Sequence, residues 1–240
     1  MLEPERLQAN LESVKARIAA AAQQAGRAPQ DVSLVVVTKG HPAETLRSLQ
    51  ALGIRHVGES YAQEGRAKQK ELASLEGLHW HMIGHVQSRK AEQVAKHFDL
   101  VHAVDSLRLA ARLDRCAAQA GKLLPILLEV NVSGEASKYG WPAADERSFQ
   151  AAIPDLEKIL QLQHVLVRGL MSMAPLTQNP AEARPHFAHT RMLRDELKTR
   201  FPQGDWSQLS MGMSADFEAA ILEGASLVRI GTAVLGPRPY

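Results

Sequence analysis

Short runs of apolar and β-branched residues recur through this 240-residue chain, and the gaps between them each hold one helical pattern. That alternation constrains the fold more than any other feature. A strand covered on both faces reads as a continuous apolar run, and parallel neighbours need a crossover that a helix can supply. The first run, Val-Ser-Leu-Val-Val-Val-Thr, spans 32–38. Later runs end at 58 and then cover 78–83, 100–104, 123–132, 165–171, a weak 206–209 and 226–230. Helical spacing fills a segment after Pro42, then 63–72, 87–97, 107–120, roughly 145–161, 187–199 and 216–222, with Pro154 blurring one boundary. A further amphipathic helix opens the chain, where Leu7, Leu11, Val14 and Ile18 fall on one face before Gly26.

About eight strands, each followed by a helix, predict an α/β protein with a (β/α)8 barrel and an extra N-terminal helix. No composition break or repeat divides the series, so one domain over 1–240 is expected. A doubly wound open sheet is the alternative. Its first strand would ordinarily lead into a glycine-rich turn, whereas Thr38-Lys39-Gly40-His41-Pro42 stands there. The chain is 45% hydrophobic and 22% charged, enough apolar residues for one sizeable core. Twenty-eight basic against 26 acidic residues make no polyanion-binding surface, so no nucleic-acid partner is expected. Cys116 is the single cysteine, which excludes an intramolecular disulfide and fits a reducing compartment; on a helical pattern it reads as a small packed thiol. Charged residues Glu3, Glu5 and Arg6 open the chain and no apolar run is long enough to span a bilayer. These features point to a cytoplasmic protein without a membrane partner.

In such a barrel the functional groups stand at the carboxyl ends of the strands. Lys39 follows the first apolar run, where desolvation would lower its pKa and raise the fraction of amine able to attack an aldehyde. A rim lysine reaching solvent along its stem is the other reading. Near the C-terminus, Ser210-Met-Gly-Met-Ser214-Ala-Asp216 places Gly212 and a capping Ser214 before a helix, and Arg229-Ile-Gly231-Thr232 turns through glycine into another. Two such turns after the seventh and eighth strands, with Arg229 beside them, suit a phosphate. An aldehyde-reactive lysine facing a phosphate cradle describes pyridoxal 5′-phosphate, with Arg229 as partner for the ring nitrogen. An arginine there donates no proton, so the ring would be a weaker electron sink than one facing an aspartate.

The chain also resembles a known family. Val37-Thr-Lys39, Val57-Gly-Glu-Ser-Tyr-Ala-Gln-Glu-Gly65, Trp80-His-Met-Ile-Gly84 with Gln87-Ser-Arg-Lys90, the segment from Asn131 to Gly140, Arg168-Gly-Leu-Met171, Gly212-Met-Ser214 and Val228-Arg-Ile-Gly-Thr232 follow one another as in the YggS/PLPBP family of pyridoxal phosphate homeostasis proteins. The resemblance covers about 32–236 and implies a barrel like that of alanine racemase with a Schiff base at Lys39. It implies phosphate contacts at Ser214, Gly231 and Thr232, Arg229 at the ring nitrogen, and Ser60 and Met171 among the cofactor-binding residues. Lys138 matches a family lysine that engages incoming cofactor; a solvated loop lysine is its other reading. The family commonly has Asn at Ser60, Pro at His85 and a second lysine near His41. The implied role is to bind the cofactor and hand it on in homeostasis, with no settled catalytic activity; apo-enzymes are candidate partners, and a monomer without efficient amino-acid turnover is expected.

Two rival functions remain open from the residues. His79 and His81 share one face of a strand with His85 just beyond, which permits a metal-dependent hydrolase. A racemase-like enzyme using the same cofactor would need an opposing acid or base, typically a tyrosine from a second domain or a neighbouring chain. The chain runs out at Tyr240 soon after the last strand, so a carrier is expected instead.

Overall fold

The computed structural model describes residues 3–175, 177 and 179–238; Tyr240 lies outside them. The expected alternation holds throughout. Helix α1 (Pro4–Gln24) precedes β1 (Ser33–Val37), α2 (Ala43–Ala51), β2 (His56–Glu59), α3 (Ala62–Glu71), β3 (His79–Met82) and α4 (Ala91–His97). Then come β4 (Leu100–Val104), α5 (Leu107–Gln119), β5 (Leu124–Asn131), the two-residue β6 (Trp141–Pro142) and α6 (Glu146–Leu160). The chain continues through β7 (Val165–Ser172), α7 (Arg184–Arg200), β8 (Gln208–Ser210), α8 (Phe217–Leu222), β9 (Leu227–Ile230) and α9 (Thr232–Leu235).

The strand order is β4-β3-β2-β1-β9-β8-β7-β5, and β4 also pairs with β5, so eight parallel strands close into a barrel. β6 only extends the outer end of β5. Apolar side chains form two bodies. The larger lies between barrel and helices, and a smaller cluster of Val35, Leu100, Ala103, Leu127, Met171 and Leu227 plugs the interior. α1 buries Leu7, Leu11, Val14 and Ile18 and packs on α8 and α9. Asn10 donates to the carbonyl of Val234 at 3.0 Å and Arg17 pairs with Glu218 at 2.6 Å, so the opening helix braces the two short helices nearest the C-terminus.

Local differences from the expectation have identifiable causes. Pro154 does not break α6, which is capped by the Asp145 carboxylate accepting from the Ser148 N–H at 2.9 Å and buries Phe149, Ala152, Leu156 and Ile159. The packed face outweighs the one N–H that proline lacks. The weak strand over 206–209 forms two residues later, as Gln208–Ser210, because Trp206 is a buried plug whose indole donates to the Phe201 carbonyl. Gly169 on β7 has φ +141°, and a Cβ there would run into the carbonyl oxygen of its cross-strand partner Gln208. Gly169→Ala should therefore lower stability by about 3 kcal/mol, through combined backbone strain and overpacking. Urea unfolding with an unchanged midpoint would show that β7 and β8 can part at no cost.

Candidate functional site

Side chains alternate along a strand, so only every second residue of β1 to β9 faces the barrel axis. The last of these on several strands meet at one end. A cavity of about 420 Å³ opens there, lined by Val37, Lys39 and His41 after β1, Ser60 after β2, Ile83, Met173, Arg229 on β9, and the turns carrying Met213, Ser214, Gly231, Thr232, Gly236 and Arg238. Six of the eight residues expected at the site, Lys39, Ser60, Ser214, Arg229, Gly231 and Thr232, thus share one cavity.

Lys39 is part-buried on the cavity wall. Burial, followed by the positive charges of Arg238 and Arg229, lowers its amine below the ordinary lysine value, against the opposing pull of Glu59 and Glu64. The turn that presents it is braced from behind. Lys68 on α3 donates to the Thr38 carbonyl at 2.7 Å, to Glu59 Oε1 at 2.7 Å and to Glu64 Oε1 at 2.8 Å. Thr38 Oγ1 donates to the same Glu59 oxygen at 2.6 Å, and the Gly40 N–H donates to Glu64 at 2.6 Å. Both flanks of Lys39 are therefore tied to one buried ion-pair network.

Arg229 is wholly enclosed. Its Nη1 donates to the Ser210 carbonyl at 2.7 Å and to Ser210 Oγ at 2.6 Å, and its Nη2 donates to the Ser172 carbonyl at 3.0 Å. Burial lowers its pKa to about 10, opposed by Glu129 and Asp216, so the guanidinium keeps its charge near neutrality. Ser214 and the Gly231-Thr232 turn lie side by side on the cavity wall, where Ser214 Oγ accepts the Ala233 N–H of α9 at 3.2 Å. Gly231 packs closely on the end of β1, since a Cβ there would stand 3.3 Å from Val37 Cβ.

One sequence expectation needs correction, and two other expected residues stand outside the cavity wall. Ser214 does not cap α8: Asp216 is the N-cap, its carboxylate accepting the Met213 N–H at 2.6 Å, and this turn aims the Ser214 hydroxyl at α9 instead. Met171 does not line the cavity but lies in the interior cluster, and Met173, just past the end of β7, takes the position at the wall. Lys138 does not reach the cavity; its ammonium pairs with Glu135 at 2.9 Å in the loop after β5. His79, His81 and His85 do not converge either. His81 is hydrogen-bonded to His56 and His102, and His85 pairs with Asp105 at 3.0 Å and stacks on Tyr139. Among the described residues no group of three or more His, Cys, Asp or Glu could hold a metal ion.

The sequence reading missed Lys68, Glu59 and Glu64. Glu64 and Lys68 stand four apart on the helix after β2, a spacing that would have signalled a pair, though not what it braces.

The alanine racemase N-terminal domain family matches residues 9–239. The pyridoxal phosphate homeostasis protein of Pseudomonas aeruginosa is 45% identical over 232 residues, covering 96% of this chain and 95% of that protein. The chain belongs to the pyridoxal phosphate homeostasis protein family. Its Escherichia coli K12 member is 38% identical over 239 residues, with 96% of each chain covered. Among solved structures, PipY of Synechococcus elongatus PCC7942 with pyridoxal phosphate bound is 40% identical with a TM-score of 0.82, covering 96% of this chain and all of that one. An alanine racemase from Clostridium difficile shares the fold at a TM-score of 0.71 and 15% identity, matching 98% of this chain and 58% of that enzyme.

Removing the central cation of the bracing network tests its weight. Lys68→Met leaves Glu59 buried without a counter-charge, which should cost about 3–5 kcal/mol at neutral pH. Burial already raises the Glu59 carboxyl above its ordinary value, against the pull of Lys68 and Thr38, and losing Lys68 raises it further. The folded variant then binds a proton that the unfolded chain does not, so stability should recover as pH falls through the folded value. Denaturant midpoints of the variant that stay flat between pH 8 and 5 would refute this.

Proposed function

We propose that this chain is a pyridoxal 5′-phosphate-binding protein of cofactor homeostasis, which holds the cofactor on Lys39 and releases it to apo-enzymes without efficient amino-acid turnover. The observation that carries the reading is the meeting of an amine of lowered pKa, two hydroxyl-bearing turns and a buried guanidinium around one cavity. That donor set fits the cofactor at three points. Ser214, Gly231 and Thr232 hold its phosphate, Arg229 faces its ring nitrogen, and Lys39 takes its aldehyde as an imine with loss of one water. Release is the reverse, with one water consumed.

What the cofactor supplies when bound is an electron-withdrawing ring, and Arg229 limits that property by keeping its own proton. Ser60 contributes a hydroxyl at the cavity wall, with less reach than the asparagine common at this position, and His41 lines the wall near where the family carries a second lysine. Lys138 is held by Glu135 outside the cavity, so we assign it to loading and exchange of cofactor, with Met171 supporting the floor below Met173. The chain acts as one barrel unit, a monomer in the cytoplasm; no helix among the described residues is long and apolar enough to cross a membrane.

Purified protein should show a visible absorbance band that borohydride removes, with reduction labelling Lys39, and Lys39→Ala should lack the band. Loaded protein should reactivate an apo-enzyme while leaving single amino acids unchanged in chirality and α-proton content. Robust turnover on any amino acid, lost in Lys39→Ala, would replace the carrier by an enzyme.

The phosphate assignment has its own test. Ser214→Ala combined with Thr232→Ala should weaken pyridoxal phosphate binding at least about tenfold more than pyridoxal binding, the order expected for lost hydrogen bonds to a charged group. Equal losses in a pair of equilibrium titrations would put the phosphate elsewhere.

A further inference from the structure

The interior of a small parallel barrel is ordinarily filled by branched aliphatic side chains. Beneath this cavity the filling is partly polar. His56 Nδ1 meets His81 Nε2 at 2.9 Å, His81 Nδ1 meets His102 Nε2 at 2.8 Å, and His102 Nδ1 meets Ser210 Oγ at 2.8 Å. The same serine oxygen accepts from Arg229 Nη1 at 2.6 Å. An unbroken file of four side chains therefore runs from half-buried His56, stacked on exposed His79, to the guanidinium at the cavity floor. His81 is 3% exposed and His102 is 0% exposed. Burial, with the neighbouring positive charge of other histidines, brings the His81 pKa down to about 3 and holds His102 well below its ordinary value, so both rings are neutral.

A neutral imidazole offers one donor and one acceptor nitrogen, so each bond in the file dictates the next. The inner end sets the direction. Arginine only donates, so Ser210 Oγ is an acceptor toward Arg229, and its own O–H has His102 Nδ1 within reach. His102 then donates from Nε2 to His81 Nδ1, and His81 donates from Nε2 to His56 Nδ1. With Ser210 donating to His102, all three rings take the Nε2–H tautomer.

We propose that His102, backed by His81 and His56, is a positioning residue for the cofactor site: it accepts the Ser210 O–H hydrogen bond and so keeps a serine lone pair aimed at Arg229. The proposal rests on the reading of Arg229 as the group that faces the cofactor's ring nitrogen. An arginine that releases no proton near neutrality ends the file, so the file aligns the guanidinium and does not conduct protons to the cavity. Without His102 the Ser210 hydroxyl is free to rotate, and the remaining acceptors, the Ser210 and Ser172 carbonyls, hold Arg229 less strictly. Asparagine at 102 can still offer Ser210 an acceptor oxygen; leucine cannot.

Two measurements decide the matter. In the cofactor-free full chain labelled with imidazole 15N, long-range proton–nitrogen correlation should report Nε2–H tautomers at His56, His81 and His102, and an Nδ1–H tautomer at His102 would overturn the direction argued here. In equilibrium titrations, His102→Leu should weaken pyridoxal phosphate binding about tenfold, the factor of one ordinary hydrogen bond to a charged group, while inorganic phosphate binding stays unchanged and His102→Asn recovers most of the loss. Equal losses for both ligands, or no difference between leucine and asparagine, would reduce His102 to a packing residue. Failure of the unaltered chain to bind pyridoxal phosphate would instead sink the functional reading, and the tautomers would still decide the file.

Discussion

Closure of the parallel sheet between β4 and β5 is the constraint on which the rest depends. It leaves an interior that only alternate strand residues can reach, and it gathers the last of those residues at one end. The charge of Arg229 can be enclosed there because oxygens from two other strands, at Ser172 and Ser210, already face the axis. A buried cation without such acceptors would be costly enough to unfold a domain of this size. Cavity, cation and polar file are thus consequences of one closed sheet.

The order of elements was legible in the sequence because apolar runs and helical spacing repeat with one period over the whole chain. Boundaries were less legible where two demands compete for one residue. Pro154 signals a break that the apolar face of α6 overrides, and Trp206 signals a strand but fills a hole beside α7. The position of Lys39 at the end of β1 followed from local pattern alone, as did the glycine turns at Gly212 and Gly231.

What escaped the sequence reading depends on pairing between strands. Register places His56 of β2, His81 of β3, His102 of β4 and Ser210 of β8 in one file, and nothing in their spacing along the chain reveals it. The same holds for Lys68, which looks like a helix-surface lysine until the barrel closes and puts Glu59 and the Thr38 carbonyl around its ammonium. Met171 and Met173 illustrate the finer limit, since two methionines two residues apart at the end of β7 differ in depth.

The brace between α1 and the helices α8 and α9 joins opposite ends of the chain through Asn10, Arg17 and the buried face of Leu7, Leu11 and Val14. The turns that line the cavity, at Ser214 and Gly231, precede those two short helices, and Ser214 is itself bonded to α9. A ligand held by these turns adds its binding free energy to the opening reactions that separate them. Amide hydrogen exchange in α1, a segment that contributes nothing to the cavity's chemistry, thereby becomes a remote gauge of occupancy.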